Sequence, residues 1–430
     1  MALTTRAAAL LLLGVVPVVL RPAGSTVTAW ALVWLVLVGL DLLLATSPSA
    51  LRLTREDPAL QVRLGESTSA ALVVENTGRR SARGVLRDGW PPSAGSDAAR
   101  HPLDVPPGER RRMSTTLTPT RRGDRRADRV TVRLLGPLGL AGRQRSVEAP
   151  GRLRVLHPFP ARKHLPSRLA VLRELDGRAA VRTRGQGTEF DSLREYVDGD
   201  DVRSIDWRAT PRRQHLLVRT WQPEQHRRIV LVVDTGRTSA GRVGDAPRLD
   251  AAMDAALLLT ALAGHAHDRV QVVAGDRTVH ARVTGADRAR LLHDVISALT
   301  PIDPQVVETD WGVLASEVTR STHRSLVVLL TPLEPAAVEE GLVPVLPTLV
   351  AHHRVVVASV ADPALDRMRR SRDGSEEVWG AVAAERTTAL RRQAADALGR
   401  LGVDVLDAPP DELPVRLADH YLALKREGLL

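Results

Sequence analysis

Arg228-Ile229-Val230-Leu231-Val232-Val233-Asp234-Thr235-Gly236-Arg237-Thr238-Ser239 decides how the second half of this chain is read. Ile229–Val233 is apolar without alternation, the pattern of a strand buried on both faces of a parallel sheet. Downstream the periodicity switches repeatedly. Helical patterning over Leu249–Ala263 gives way to a strand at Val270–Val273, then to helices over Ala286–Leu299 and Trp311–Thr319. The apolar run Leu326–Leu330 follows, then a proline-interrupted helix to His352, a strand at Val355–Val360, a helix over Ala381–Leu401, a strand at Val403–Leu406 and a terminal helix to about Lys425. Such alternation predicts an α/β doubly wound sheet over 228–430. Ligands of such sheets bind at the carboxyl ends of the strands, so Asp234, closing the first strand, is a candidate site residue.

Upstream, Gly187-Thr188-Glu189-Phe190-Asp191-Ser192-Leu193-Arg194-Glu195-Tyr196-Val197-Asp198-Gly199-Asp200-Asp201-Val202-Arg203-Ser204-Ile205-Asp206-Trp207 is dense in carboxylates, guanidinia and rings. Aromatic residues make up only 3% of the chain, yet Phe190, Tyr196, Trp207 and Trp221 fall in or just after it. Arg194, Arg203 and Arg208 alternate with Glu189, Asp200 and Asp206, which suits bidentate pairing around ring faces. Two readings stand: an ion-pair network fastening a lead-in segment (157–227) to the α/β domain, or an acid–base centre. No nucleophile–base pair is visible, and neighbouring arginines keep carboxylates ionised.

This stretch resembles the signature of the bacterial family known as domain of unknown function 58. The family pattern is matched by Gly187, Glu189, Phe190, Leu193, Arg194, Tyr196, Gly199, Asp200, Asp201, Arg203, Ile205, Asp206 and Trp207. The region from Arg228 onward also resembles von Willebrand factor A domains, whose metal-ion-dependent adhesion site follows Asp-x-Ser-x-Ser. That resemblance implies a site for a hard cation such as Mg²⁺, held by Asp234, Thr238 and Thr309 in this chain. The site departs from the pattern twice. Gly236 replaces the first serine, and Thr331-Pro332 stands where an acid is expected, with Glu334 nearby as a partial substitute.

Two apolar runs open the chain. Ala7–Leu20 carries Pro17 inside it, and Val27–Ala45 is broken only by Thr28 and Asp41. A spanning helix needs roughly 20 apolar residues. The second run qualifies; the first borrows Met1–Thr5, with a signal peptide as its competing reading. The short Arg21-to-Ser25 link favours a transmembrane hairpin over 1–46. Arg52, Arg55 and Arg63 follow the second run, so the expectation is a cell-membrane protein with two N-terminal spans and cytoplasmic soluble domains.

Between 51 and 156 short alternating segments such as Ser69–Glu75, Met113–Leu117 and Arg129–Leu135 are separated by turns at Asn76-Thr77-Gly78 and Pro106-Pro107-Gly108. This spacing predicts a small antiparallel β-sandwich. Gly136-Pro137-Leu138-Gly139-Leu140 resembles the family's Asp-Pro-Leu-Gly-Leu, with Gly136 in place of the acid.

Composition narrows the function classes. The 430 residues carry a net charge of +10 and no cysteine, which excludes disulfides, thiolate metal sites and cysteine nucleophiles. Arginine is scattered rather than gathered on one face, and aromatics do not interleave with it, so no nucleic-acid partner is expected. The histidine pairs His265/His267 and His352/His353 lie at helix ends and lack metal-site spacing; carbonyl capping is their reading. The chain therefore reads as a membrane-anchored interaction protein. The family resemblance implies a MoxR-type AAA+ ATPase as partner, docking on the Asp234–Thr309–Thr331 face. The alternative is an envelope hydrolase using Glu189, Asp200 or Asp206.

Overall fold

A computed structural model describes residues 2–182, 189–197, 205, 217–222, 227–285, 288–320 and 323–430. The chain divides into two compact units, Met1–Pro158 and Phe159–Leu430.

The first unit opens with a two-residue strand, β1 (Ala2–Leu3), then α1 (Thr5–Leu13), α2 (Val15–Leu20) and α3 (Gly24–Leu44). The first apolar run is thus split at Gly14, three residues before Pro17, whose ring cannot sit deep in a helix without removing a hydrogen bond. Only α3 is long and apolar enough to cross a membrane by length and composition, among the described residues. Thr5–Leu20 is a shorter apolar helical stretch. It packs back on α3, where the Trp34 indole donates to the Ala7 carbonyl at 2.8 Å.

Eight further strands follow: β2 (Leu51–Arg55), β3 (Ala59–Arg63), β4 (Thr68–Asn76), β5 (Ala82–Asp88), β6 (Arg100–Val105), β7 (Arg110–Leu117), β8 (Gly123–Leu135) and β9 (Ala141–Leu156). They form a three-stranded sheet, β2-β4-β7, and a larger sheet in the order β1-β9-β8-β5-β6 with β3 also on β9. Pairing is antiparallel except between β3 and β9. Alternate residues Leu72, Val74, Leu86, Leu103, Val130, Val132 and Leu134 from the two sheets share one core. Each such buried aliphatic contributes about 1.5–3 kcal/mol over its exposed state.

The second unit starts with α4 (Leu165–Arg182) and the antiparallel pair β10 (Glu189–Glu195) and β11 (Leu217–Gln222). The main sheet begins with β12 (Arg228–Asp234), followed by the single turn α5 (Arg237–Ala240), a minimal hairpin of β13 (Arg242–Val243) and β14 (Ala246–Pro247), and α6 (Arg248–His265). Then come β15 (Arg269–Gly275), β16 (Val279–Gly285), α7 (Arg288–Leu299), α8 (Trp311–Thr319) and β17 (Leu326–Leu330). The chain ends with the short α9 (Pro335–Ala337), α10 (Leu346–His352), β18 (Arg354–Val360), α11 (Pro363–Arg370), α12 (Ser375–Arg400), β19 (Asp404–Ala408) and α13 (Leu413–Glu427).

Sheet order is β16-β15-β12-β17-β18-β19. Five strands run parallel and β16 lies antiparallel at the edge. Val230, Val232, Val327, Leu329, Val355 and Val357 point to one face, where they join Leu314 of α8, Leu349 of α10 and Leu398 of α12 in a single core. The buried residues of α6 contact the sheet but do not belong to that core, which puts α6 on the opposite face. From β12 the chain moves first to β15 on one side, then to β17 on the other. The carboxyl end of β12 therefore lies where strand order reverses, and a crevice opens there.

Candidate functional site

Asp234 ends β12 and is 1% exposed. A charge withdrawn from water must be met by hydrogen bonds, and this one is met four times. Oδ1 accepts the Gly236 N–H at 2.8 Å and the Thr309 hydroxyl at 2.5 Å. Oδ2 accepts the Thr331 hydroxyl at 2.7 Å and the Thr238 hydroxyl at 3.2 Å. The hydroxyls come from three segments: the turn after β12, the loop before α8 and the residue after β17. Asp234 thus ties together the loops that rim the crevice.

Gly236 does more in this arrangement than remove a serine hydroxyl. A Cβ at 236 would overlap Thr309 Oγ1 and stand 3.0 Å from the Val307 carbonyl. The missing side chain is what lets Thr309 reach the carboxylate. Backbone bonds fix the same loop: Gln305 N–H donates to the Thr235 carbonyl at 2.7 Å, and Arg237 N–H to the Val307 carbonyl at 2.8 Å.

Behind Asp234 lies a polar link that sequence patterning does not reveal. The buried Thr235 hydroxyl donates to Asp276 Oδ2 at 2.9 Å, and His280 Nε2 lies 2.7 Å from the same oxygen. Burial alone would raise the Asp276 pKa, but hydrogen bonds from His280, Thr235 and the Arg277 N–H outweigh it and hold the group below the usual carboxylate range. Asp276 directly follows β15, so an acid just past a strand end was the available signal.

The crevice holds a cavity of about 320 Å³ whose lining includes Asp234, Thr238, Thr309, Trp311, Thr331 and Glu340. At its mouth Arg237 Nε donates to Glu308 at 2.6 Å, an exposed pair that sets the rim. Val306, beside the pinned loop, is 81% exposed. Glu334 does not fill the missing acid position. It pairs with Arg248 at 2.9 Å instead, because α6 brings that guanidinium to it.

The donor set accessible to a hard cation is one carboxylate and the Thr238, Thr309 and Thr331 oxygens. A hydroxyl that gives its proton to Asp234 keeps lone pairs for a cation, so the chemistry fits, with a single negative charge in the set. Among the described residues no three His, Cys, Asp or Glu side chains converge. At the helix ends, His265 Nδ1 lies 2.7 Å from the Ala261 carbonyl, in line with the capping reading.

Of the signature residues, Glu189, Phe190 and Arg194 lie on β10, where Phe190 pairs with Trp221 and Arg194 with Val218 along the backbone. Tyr196 follows that strand, half-buried, and Ile205 is buried. Gly187, Gly199, Asp200, Arg203, Asp206 and Trp207 lie outside the described residues.

Residues 192–395 match the family model described as "Protein of unknown function DUF58", a likeness that covers this segment of the chain. No curated protein matches the chain. Among solved structures, the conserved hypothetical protein BatB from Bacteroides thetaiotaomicron is similar at 14% identity, with 46% of this chain and 98% of that one covered and a TM-score of 0.30. The CARDB domain of the PF1109 protein from Pyrococcus furiosus, solved with di-metal ions, matches at 14% identity over 27% of this chain and 92% of that one, with a TM-score of 0.18. A β-glucosidase from Listeria innocua matches at 16% identity over 23% of this chain, with a TM-score of 0.16, and only 16% of that enzyme's length is spanned.

Proposed function

We propose that this chain is a membrane-anchored interaction protein whose α/β unit, read as von Willebrand factor A-like, receives a protein partner in the crevice at the carboxyl ends of β12 and β17. One observation carries the reading. Asp234 gathers hydroxyls from three separate loops beside an open cavity. Such a hub fixes loop shape, which a docking face requires.

The family resemblance makes a MoxR-type AAA+ ATPase the partner to test first. Docking proceeds through the rim formed by Arg237, Glu308 and Val306, with Mg²⁺ as a bridge between Asp234 and a partner carboxylate. The apolar α3 anchors the chain in the cell membrane, the stretch Thr5–Leu20 forms the other arm of a hairpin, and the soluble domains that follow face the cytoplasm.

The experiment is binding of the detergent-solubilised full chain to the MoxR-type ATPase of the same genome, by interferometry, with Mg²⁺ or with EDTA. The reading predicts binding that Asp234→Asn weakens roughly tenfold or more, as for a central interface group. Loss of binding in EDTA supports the bridge; binding indifferent to Asp234→Asn and to Arg237→Glu removes this face from the interaction.

A further inference from the structure

The corner formed by α11 and α12 carries an apolar patch that the fold does not use. Trp379 is 75% exposed, Val382 57%, Met368 44% and Val378 43%. Trp379 and Val382 are three residues apart on α12 and share a face. Contiguous exposed apolar surface of this kind marks an interaction site. Beside the tryptophan lies a hollow of about 550 Å³ with Ala364, Met368 and Gly380 in its lining. A Cβ at position 380 would lie in ordinary contact with Met368 Cε, at 3.5 Å, so a longer side chain there would extend into the hollow. Its rim has both signs of charge, Arg367 from α11 and Glu376 and Glu377 from α12. None of the three has an ion pair among the described residues.

A knob and a hollow side by side, with a rim of mixed charge, are what a two-fold contact between identical surfaces requires. There residue i meets j while j meets i. We propose that the α11–α12 corner is a self-association surface on which two copies of this chain pair about a two-fold axis. Trp379 of each copy fills the Ala364–Met368–Gly380 hollow of the other, and Arg367 of each faces Glu376 and Glu377 of the other. This contact is separate from the Asp234 crevice and does not depend on what docks there.

The test is the mass of the full chain in detergent, by light scattering coupled to size exclusion, over a concentration series. The wild type is expected to dimerise. Trp379→Ala removes the knob and Gly380→Leu fills the hollow; each should weaken the dimer roughly tenfold or more, as loss of an aromatic anchor does. Arg367→Glu should dissociate it as well, and adding Glu376→Arg with Glu377→Arg should restore it. Trp379 is exposed, so its removal leaves the core untouched. A wild-type mass of one chain throughout, or a dimer unaffected by both Trp379→Ala and Gly380→Leu, overturns the proposal.

Discussion

Asp41 and Gly136 compete for one volume. The Asp41 side chain, fully buried on α3, accepts the Leu138 N–H at 2.7 Å through Oδ1, and the Leu140 and Ala141 N–H groups at 2.7 and 2.8 Å through Oδ2. Any side chain at 136 would overlap the Asp41 carboxylate and its carbonyl oxygen. Where the resembling pattern places an acid at the head of Pro-Leu-Gly-Leu, this chain has glycine and draws the acid from its apolar helix. The end of α3 is thereby clamped to the start of β9, and Thr4 adds a bond from its hydroxyl to the Gly139 carbonyl at 2.7 Å.

Asp41→Ala should therefore destabilise the first unit severely. Three N–H groups lose their acceptor, and each one left unpaired in a buried position costs about 1–3 kcal/mol. Adding Gly136→Asp to that variant returns an acid to the vacated volume and should recover a large part of the loss, while Gly136→Asp alone should destabilise by overpacking. Thermal unfolding of the full chain checks all three. Asp41→Ala melting with the wild type would show that the turn holds itself.

The parts of this fold that were legible are those set by local pattern. Ile229–Val233 and Leu326–Leu330 read as buried strands because both faces of a central strand exclude polar residues, and the structure has β12 and β17 there. The edge strand β16 went unread because its partly buried residues alternate with the exposed His280, Arg282 and Thr284, a weak signal beside a continuous apolar run. Helix α12 begins at Ser375 rather than Ala381, because its first turns stand in solvent and carry no apolar period toward the core. Asp234 and Thr309 were legible as candidates from their places in the chain. That Gly236 makes room for Thr309, and Gly136 for Asp41, depends on residues far apart in sequence and leaves no local trace.

Gly236→Ser tests whether the departure from the Asp-x-Ser-x-Ser pattern is a loss or a repacking. Gly236 has φ −75°, so the backbone accepts serine; the obstacle is the overlap with Thr309 Oγ1. The substitution should cost about 1–3 kcal/mol of stability, as overpacking does. It should bring no gain in Mg²⁺ affinity, because Thr309 is pushed from Asp234. Pairing it with Thr309→Ala should restore most of the stability. Urea denaturation and Mg²⁺ calorimetry on the full chain read both effects, and a tighter Mg²⁺ site in the single variant would contradict the repacking.

A buried ion pair bridges the sandwich. Arg55 and Asp88 side chains are each 3% exposed and meet at 3.0 and 2.5 Å, with Arg55 Nε donating to the Ala149 carbonyl at 2.8 Å and its guanidinium 5.2 Å from the Trp90 ring centre. Asp88→Ala strands the guanidinium without its partner and should cost about 3–5 kcal/mol. Replacing both residues by leucine should cost less than the single change, since no buried charge is then left unpaired. Equal losses in the two variants, measured by denaturation, would mean the pair acts by shape alone.

Asp268 supplies a pH signature in the second unit. It is 1% exposed and accepts the Tyr421 hydroxyl at 2.6 Å. Burial pushes its pKa above the ordinary 3.8, outweighing the opposing pull of Lys425, Tyr421 and Arg227. A carboxyl group whose pKa is raised by folding binds its proton more tightly in the folded state. Its stabilising contribution is therefore full below the unfolded value and is lost as pH rises through the folded one. Asp268→Asn keeps an oxygen for Tyr421 and never ionises, so it should be more stable than the wild type at neutral pH. That advantage should shrink as pH falls and vanish below about pH 3.8, where the aspartate is protonated in both states. Melting temperatures of the two proteins across that range decide it. An advantage that grows in acid would reverse the sign and would mean that Lys425 and Arg227, rather than burial, govern this carboxylate.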